Sequence, residues 1–328
     1  LLAGVVGTCQ KYDNDKKFNL ANIETFHITN ANQPTGRNFN FTENDSAWMT
    51  GLRVYGNNMY ITNRGNSNLL DSNTVFMNAL AIDNADGIPT QNAIDNAGGI
   101  ARSDGFDLDP TGTKALIAGF TTDRVYSATL TTPFDFSTIG SFSTSPTIGN
   151  SPRGCVWGNG GAKFYTVGGL TATSSSIREY NTASSYSAGS ATYVNQIVLS
   201  GSSAYNAVSD INISADGTKA WLSSAAGYLF YGELSTPWSI TTLSIVTTVD
   251  INSFYASYSP ASTSANSFPW VCGVHWNEDG TKLYVLSLWG QTDSTQVSGV
   301  VSPPIVEGTS GFPPTDTNTF AVIEFRRK

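Results

Sequence analysis

The chain has 328 residues, 40% of them hydrophobic and only 13% charged, with a net charge of −8 and a pI near 4.7. That composition supplies a large core. The acidic balance excludes a nucleic-acid binder, whose charge has the opposite sign, and no stretch is long and apolar enough to cross a bilayer.

With so few charges, surface polarity falls to Ser, Thr, Asn and Gly, which suits an extracellular or virion-surface location. Three cysteines, Cys9, Cys155 and Cys272, are too few and odd in number for a disulfide framework. Cys155 and Cys272 read as small buried apolar residues.

The chain opens on an uncharged, mostly apolar peptide containing Leu1, Leu2, Ala3, Val5 and Val6. The missing initiator Met is expected to reflect processing or trimming. Residues 1–14 read as an arm outside one domain spanning 15–328. An exposed apolar strand needs a cover; lending it to a neighbouring copy's sheet provides one, and packing on its own propeller, or being a leader remnant, is the alternative. Head-to-tail contacts of the first kind build filaments unless the rotation closes a ring. Lys17–Asn22 follows, and then Ile23–Ile28, which alternates like an outer strand through Ile23, Phe26 and Ile28. Asn40 and Asn44 begin glycosylation sequons in a polar link. Asn212 begins a third, inside a strand.

From residue 52 onward one phrase recurs five times: an alternating apolar strand, a tight polar turn and a second apolar strand. The turns are anchored at Asn58, Lys114, Lys163, Lys219 and Lys282. The preceding strands carry Leu52/Val54, Phe106/Leu108, Cys155/Trp157, Ile211/Ile213 and Val274/Trp276, each pair on one face by the two-residue period of a strand. Asp216-Gly217, Asp279-Gly280 and Asn159-Gly160 suit the positive φ of tight hairpins. A third strand follows at Val125–Leu130, Ile177–Tyr180 and Leu229–Leu234. Two repeats then share a phrase, Thr132–Thr138 and Thr236–Thr242, whose Pro belongs outside a central ladder. Residues 62–100 read as an outer strand pair with an irregular insertion, with a sixth, degenerate blade there as the alternative.

A four-stranded unit at a period of about 50–60 residues predicts an all-β propeller of five four-stranded blades. The last repeat supplies two strands, a Gly/Pro/Ser-rich link at 290–318 and a third strand through Val322, Ile323 and Phe325, but no fourth. The N-terminal strand is expected to complete that blade, so that both chain ends close the ring.

The phrases Asp279–Val285, Asp216–Leu222 and Ser235–Trp238 resemble a repeat found in bacteriophage tail and virion proteins and in secreted bacterial surface proteins. The resemblance covers about 48–328. It implies a rigid structural or adhesive module without chemistry of its own.

Catalytic motifs are absent from the sequence: no Gly-x-Ser-x-Gly elbow, no phosphate loop and no His/Cys set with metal-ligand spacing. No cofactor is expected. His27 and His275 are isolated from one another in sequence, and His275, between Val274 and Trp276 on the face opposite that pair, reads as a solvent-side or hydrogen-bonded residue rather than a base or ligand. Asp104, Asp107 and Asp109 read first as turn-capping carboxylates; a calcium site is the weaker alternative, since hard cations need several oxygens. The expected function is a non-enzymatic structural subunit that assembles with copies of itself through the N-terminal arm. The alternative is a tail-fibre or adhesin module binding surface glycans through Trp157, Trp276 or Trp289. A glycosidase with paired carboxylates ranks last.

Overall fold

The computed structural model describes residues 26–28, 49–56, 58–63, 75–81, 90–94, 100, 103–149, 151–171, 174–205, 207–250, 270–276, 282–290 and 318–326. Leu1, Leu2, Ala3, Val5, Val6, Ile23, Asn40 and Asn44 lie outside them.

The described strands form five four-stranded antiparallel sheets. β1 (Phe26–Ile28) stands apart in sequence from the blade it joins. The first complete blade is β2 (Met49–Tyr55), β3 (Asn58–Asn63), β4 (Val75–Ala81) and β5 (Thr90–Ile94), so residues 62–100 do hold an outer pair. The second is β6 (Ser103–Leu108), β7 (Lys114–Gly119), β8 (Arg124–Thr129) and the two-residue β9 (Ser143–Thr144). The third is β10 (Gly154–Gly158), β11 (Lys163–Thr171), β12 (Ser174–Thr182) and β13 (Ala191–Leu199). The fourth is β14 (Val208–Ile213), β15 (Lys219–Ser224), β16 (Tyr228–Leu234) and β17 (Leu243–Asp250). The last joins β18 (Trp270–Trp276), β19 (Lys282–Gly290) and β20 (Asn318–Arg326) to β1.

The innermost strands touch in a closed cycle, β2 to β6 to β10 to β14 to β18 and back to β2. The fold is a β-propeller. Its last blade is closed by the N-terminal strand: Phe26 pairs with Phe325 and Ile28 with Ile323. Opening the ring there would break the β1–β20 ladder.

The shared Pro-containing phrase has a mechanical role. Phe134 and Trp238 adopt left-handed backbone (φ 63° for each) and lay their rings over Gly112 and Gly217 of their own blade's hairpin turn. Their backbone N–H groups donate to the carbonyls of those glycines at 2.9 and 3.0 Å. Both glycines have φ of 71°, and a Cβ on either would strike the ring within 2.5 Å, so the turn needs glycine for φ and for space. The third blade carries the same device without the proline. Tyr186 (φ 60°) covers Gly161, and Ser184 N bonds Ser190 Oγ as Thr132 N bonds Thr138 Oγ1 and Thr236 N bonds Thr242 Oγ1.

Short 3-10 turns follow each aromatic: η1 (Phe136–Thr138), η3 (Ala188–Ser190) and η5 (Ile240–Thr242), with η2 (Asn159–Gly161) and η4 (Ser203–Tyr205) elsewhere. Each of the three buries its first residue against the preceding blade. Phe136 packs beside Tyr60, Ala188 N donates to Ser127 Oγ at 2.8 Å, and Ile240 N donates to the buried Glu179 at 3.0 Å. Adjacent blades are thus stapled by apolar burial, joined at Ala188 and Ile240 by a satisfied backbone donor.

Candidate functional site: a buried ionic network on the axis

The aligned inner strands share a glycine column. Gly51, Gly105, Gly154 and Gly273 occupy equivalent places in β2, β6, β10 and β18, and β14 alone has a side chain there, Asp210. The column exists because neighbouring strands meet at it. A Cβ on Gly105 would lie 2.5 Å from Arg153 O and 2.8 Å from Gly154 Cα. A Cβ on Gly154 would lie 2.6 Å from Asp210 Cα, and one on Gly273 would lie 2.7 Å from Leu52 Cβ. The inner strands therefore approach backbone to backbone around the axis.

Arg53, two residues beyond Gly51, fills the centre and is 0% exposed. Its Nε donates to Asp107 Oδ1 at 2.8 Å. One terminal nitrogen donates to Asp210 Oδ2 and Leu52 O, each at 2.7 Å. The other donates to Cys155 O at 2.8 Å, Ile211 O at 3.1 Å and Asp210 Oδ1 at 3.2 Å. The two carboxylates are bound from other blades as well. Trp157 N donates to Asp107 Oδ2 at 2.8 Å, and Val274 N donates to Asp210 Oδ2 at 3.1 Å. Tyr55 Oη sits 3.0 Å from Asp107 Oδ1 and 2.9 Å from Leu108 O, and accepts from Leu108 N. His275 Nδ1 accepts from Val54 N at 3.1 Å. Every blade thus contributes at least one group to the network.

One guanidinium against two carboxylates leaves a formal charge of −1 in a buried site. Burial alone would disfavour the guanidinium's charge, but Asp210 and then Asp107 outweigh it, so Arg53 is held above its usual range and stays charged. Burial pushes Asp107 and Asp210 upward, opposed chiefly by Arg53 and by the hydrogen bonds that each accepts. Burial, helped by the nearby Arg53 charge, drives His275 well below its usual value. The ring is therefore neutral, and because Nδ1 accepts, the proton sits on Nε2. Burial and then Asp107 raise Tyr55, and Cys155 is raised by burial first.

A pH prediction follows from His275. Its folded value lies below its unfolded one, so below about pH 6.5 the unfolded chain takes up a proton that the native ring refuses. Stability is expected to fall by up to about 1.4 kcal/mol per pH unit through that window. The raised carboxylates act in the opposite sense: their protonation stabilises the fold below the ordinary carboxylate value, and that gain is lost as pH rises through their folded values. Urea unfolding of the wild type and His275→Gln between pH 7 and about pH 5 isolates the His275 limb, since His27 and the carboxylates are common to both. Parallel pH profiles in the two proteins would refute it.

The sequence-predicted candidates do not converge. Asp107 joins the axial network. Asp109 caps its own hairpin turn, accepting from Thr113 N at 2.7 Å and Lys114 N at 2.6 Å. Asp104 is the bulged residue where the β6–β7 register slips between Ser103 and Gly105. The calcium cluster is corrected accordingly: among the described residues no group of three or more acidic, His or Cys side chains could hold a metal ion. His275, read as a solvent-side or hydrogen-bonded residue, is buried and hydrogen-bonded. Trp157 and Trp276, offered as glycan-stacking surfaces, are both 7% exposed and belong to the core. Asn212 is also buried, within β14, where a glycan has no room. The reading missed Arg53 and Asp210, although a lone Arg between Leu52 and Val54, and an Asp in the glycine column, were both visible.

No family model and no curated protein matches the sequence. Among solved structures, a putative 6-phosphogluconolactonase from Bacteroides fragilis is 12% identical with a TM-score of 0.39, over 73% of this chain and 65% of that one. The chain thus spans just under two thirds of that protein. A periplasmic gluconolactonase from Pseudomonas aeruginosa is 11% identical with a TM-score of 0.43, over 75% and 69%. A nidogen/laminin complex chain is 13% identical with a TM-score of 0.43, over 74% and 76%. At such identities no lactone chemistry passes to this chain. The finding does correct one step of the sequence argument, which moved from propeller to a non-enzymatic, self-assembling structural subunit. Chains named as lactonases stand among the neighbours, so that step fails. The structural-subunit function and the denial of enzymatic activity are withdrawn with it. Among the described residues no helix is long and apolar enough to cross a membrane.

Proposed function

We propose that this chain is a rigid recognition scaffold: a ring with a filled axis that engages a macromolecular partner through its outer strands. The observation that carries this reading is where exposed apolar side chains lie. The axis is occupied by Arg53 and its partners, while the large hydrophobics exposed among the described residues, Tyr193, Val198 and Val246, all sit on the outer strands β13 and β17. An outer strand offers a row of unpaired N–H and C=O groups to another chain, and exposed apolar side chains beside that row add surface to bury. The low-charge, hydroxyl-rich composition supports an extracellular or virion-surface setting, and kinship of the repeat with surface and virion proteins belongs to the same proposal.

Hydroxyl-radical footprinting tests it, comparing the dilute purified chain with the chain in extract from cells that produce it. Protection in extract is expected at Tyr193, Val198 and Val246. Equal labelling of Tyr193, Val198 and Val246 in buffer and in extract would overturn it.

A second reading, that the chain is an enzyme, draws on a separate observation. Displaced protonation at Asp107, Tyr55 and His275 gathers on the axis, and such clusters are enriched at active sites. Turnover of lactone probes, the class in the neighbours' names, that disappears in Tyr55→Phe while the fold persists would support it. Turnover unchanged in that variant would refute an axial site.

A further inference from the structure

The outer edges of the blades are protected unequally. β1 has three described residues and β9 two, whereas β13 has nine and β17 eight. Short edge strands, charges and proline are the usual devices against pairing with another chain. β13, Ala-Thr-Tyr-Val-Asn-Gln-Ile-Val-Leu, carries no charge and no proline. The chain has no Asp, Glu, Lys or Arg between Glu179 and Asp210. β17, in contrast, ends on a charge of its own, Asp250.

A bulge at Val194 breaks the β12–β13 register between Glu179 and Tyr180, and Asn195–Leu199 beyond it is a regular run. Ile197 and Leu199 turn into the core, and η5 of the next blade rests against β13. Tyr193 and Val198 face outward, 59% and 48% exposed. β13 ends its sheet, so among the described residues no strand meets its outer hydrogen-bonding edge.

We infer that β13 is the edge by which two copies of this chain pair, antiparallel about a two-fold axis; this rests on the scaffold reading and names its partner. The charge distribution favours a second copy. Each chain carries −8, so copies repel wherever acidic surface meets acidic surface, and β13 is neutral along its whole length. Antiparallel pairing of a strand with its own copy matches donors to acceptors by symmetry, as an isologous interface requires.

Size-exclusion chromatography with light scattering on the full chain, over a range of concentrations, tests this. The wild type should pass from monomer to dimer as concentration rises. Val198→Lys should remain monomeric with an unchanged melting temperature, because its side chain is exposed; Tyr193→Lys should also remain monomeric, with a slightly lower melting temperature from loss of its edge contact with Tyr180, since either change brings two like charges into one interface. A wild type that stays monomeric throughout, or a dimer that both variants leave intact, overturns the inference. A monomer whose outer strands are still protected in extract would sink the self-pairing and leave the scaffold reading standing.

Discussion

Arg53→Met is expected to cost about 3–5 kcal/mol of folding stability, the range for removing one partner of a buried ion pair, and to leave much of the chain unfolded at physiological temperature. The reason is what stays behind. Asp107 and Asp210 would be buried with no cation, and the carbonyls of Leu52, Cys155 and Ile211 would each lose a donor. An orphaned buried polar group costs about 1–3 kcal/mol. In some proteins a buried ion pair can be exchanged for apolar residues with little loss. That escape is closed here, because the carboxylates also satisfy backbone N–H groups of Trp157, Ile211 and Val274, and these cannot be mutated away. Asp210→Asn should cost less, about 1.5–3 kcal/mol for hydrogen bonds to a charged group, since it keeps one acceptor but turns an amide donor toward Arg53 or Val274 N. Equilibrium unfolding in urea reads both. A loss below about 1 kcal/mol for Arg53→Met, the worth of an ordinary neutral hydrogen bond, would show that the network does not clasp the ring.

The architecture was legible because it is written in local chemistry. Period-two alternation, a positive-φ turn and a repeat interval are each set by a dozen adjacent residues. The closure of the last blade was legible for a related reason: the C-terminal repeat lacked an outer strand, and Ile23–Ile28 had the alternation to supply it. The axial network was not legible, because it joins positions 54 and 157 residues apart. Arg53 taken alone resembles a charge on the solvent side of a strand. Only alignment of all five inner strands shows that its level is the ring's centre. Asp107 was singled out, but with Asp104 and Asp109, its neighbours in sequence. One residue of bulge and one turn send those three carboxylates to three different places. The third aromatic cover was missed for a simpler reason: Ser184–Ser190 lacks the Pro that marks the other two, while keeping the hydroxyl and the aromatic that do the packing.

Gly105→Ala is expected to be the most damaging single-methyl addition described. The new Cβ would stand 2.5 Å from Arg153 O and 2.8 Å from Gly154 Cα, both backbone atoms, so no side chain can rotate out of its way. Relief requires moving β6 away from β10, and the cycle of inner strands passes that shift to every blade. The ring cannot open to absorb it without breaking the β1–β20 ladder. The shift would also lengthen the Asp107–Trp157 bond that spans the same two strands. Overpacking of a rigid core costs about 1–3 kcal/mol and occasionally more; with both effects present, a loss at or above the top of that range is expected. Gly169→Ala is the matched control. It adds the same methyl to β11 of an adjacent blade, where the nearest atom is Ala207 Cα at an ordinary 3.8 Å. There the stiffer unfolded chain should leave stability unchanged or raise it by about 0.4–1 kcal/mol. Thermal melts of the pair decide the matter, because the two variants differ only in where the methyl lies. Equal melting temperatures would mean that the inner strands have slack at the glycine column, and the axis would then have to be held by its charges alone.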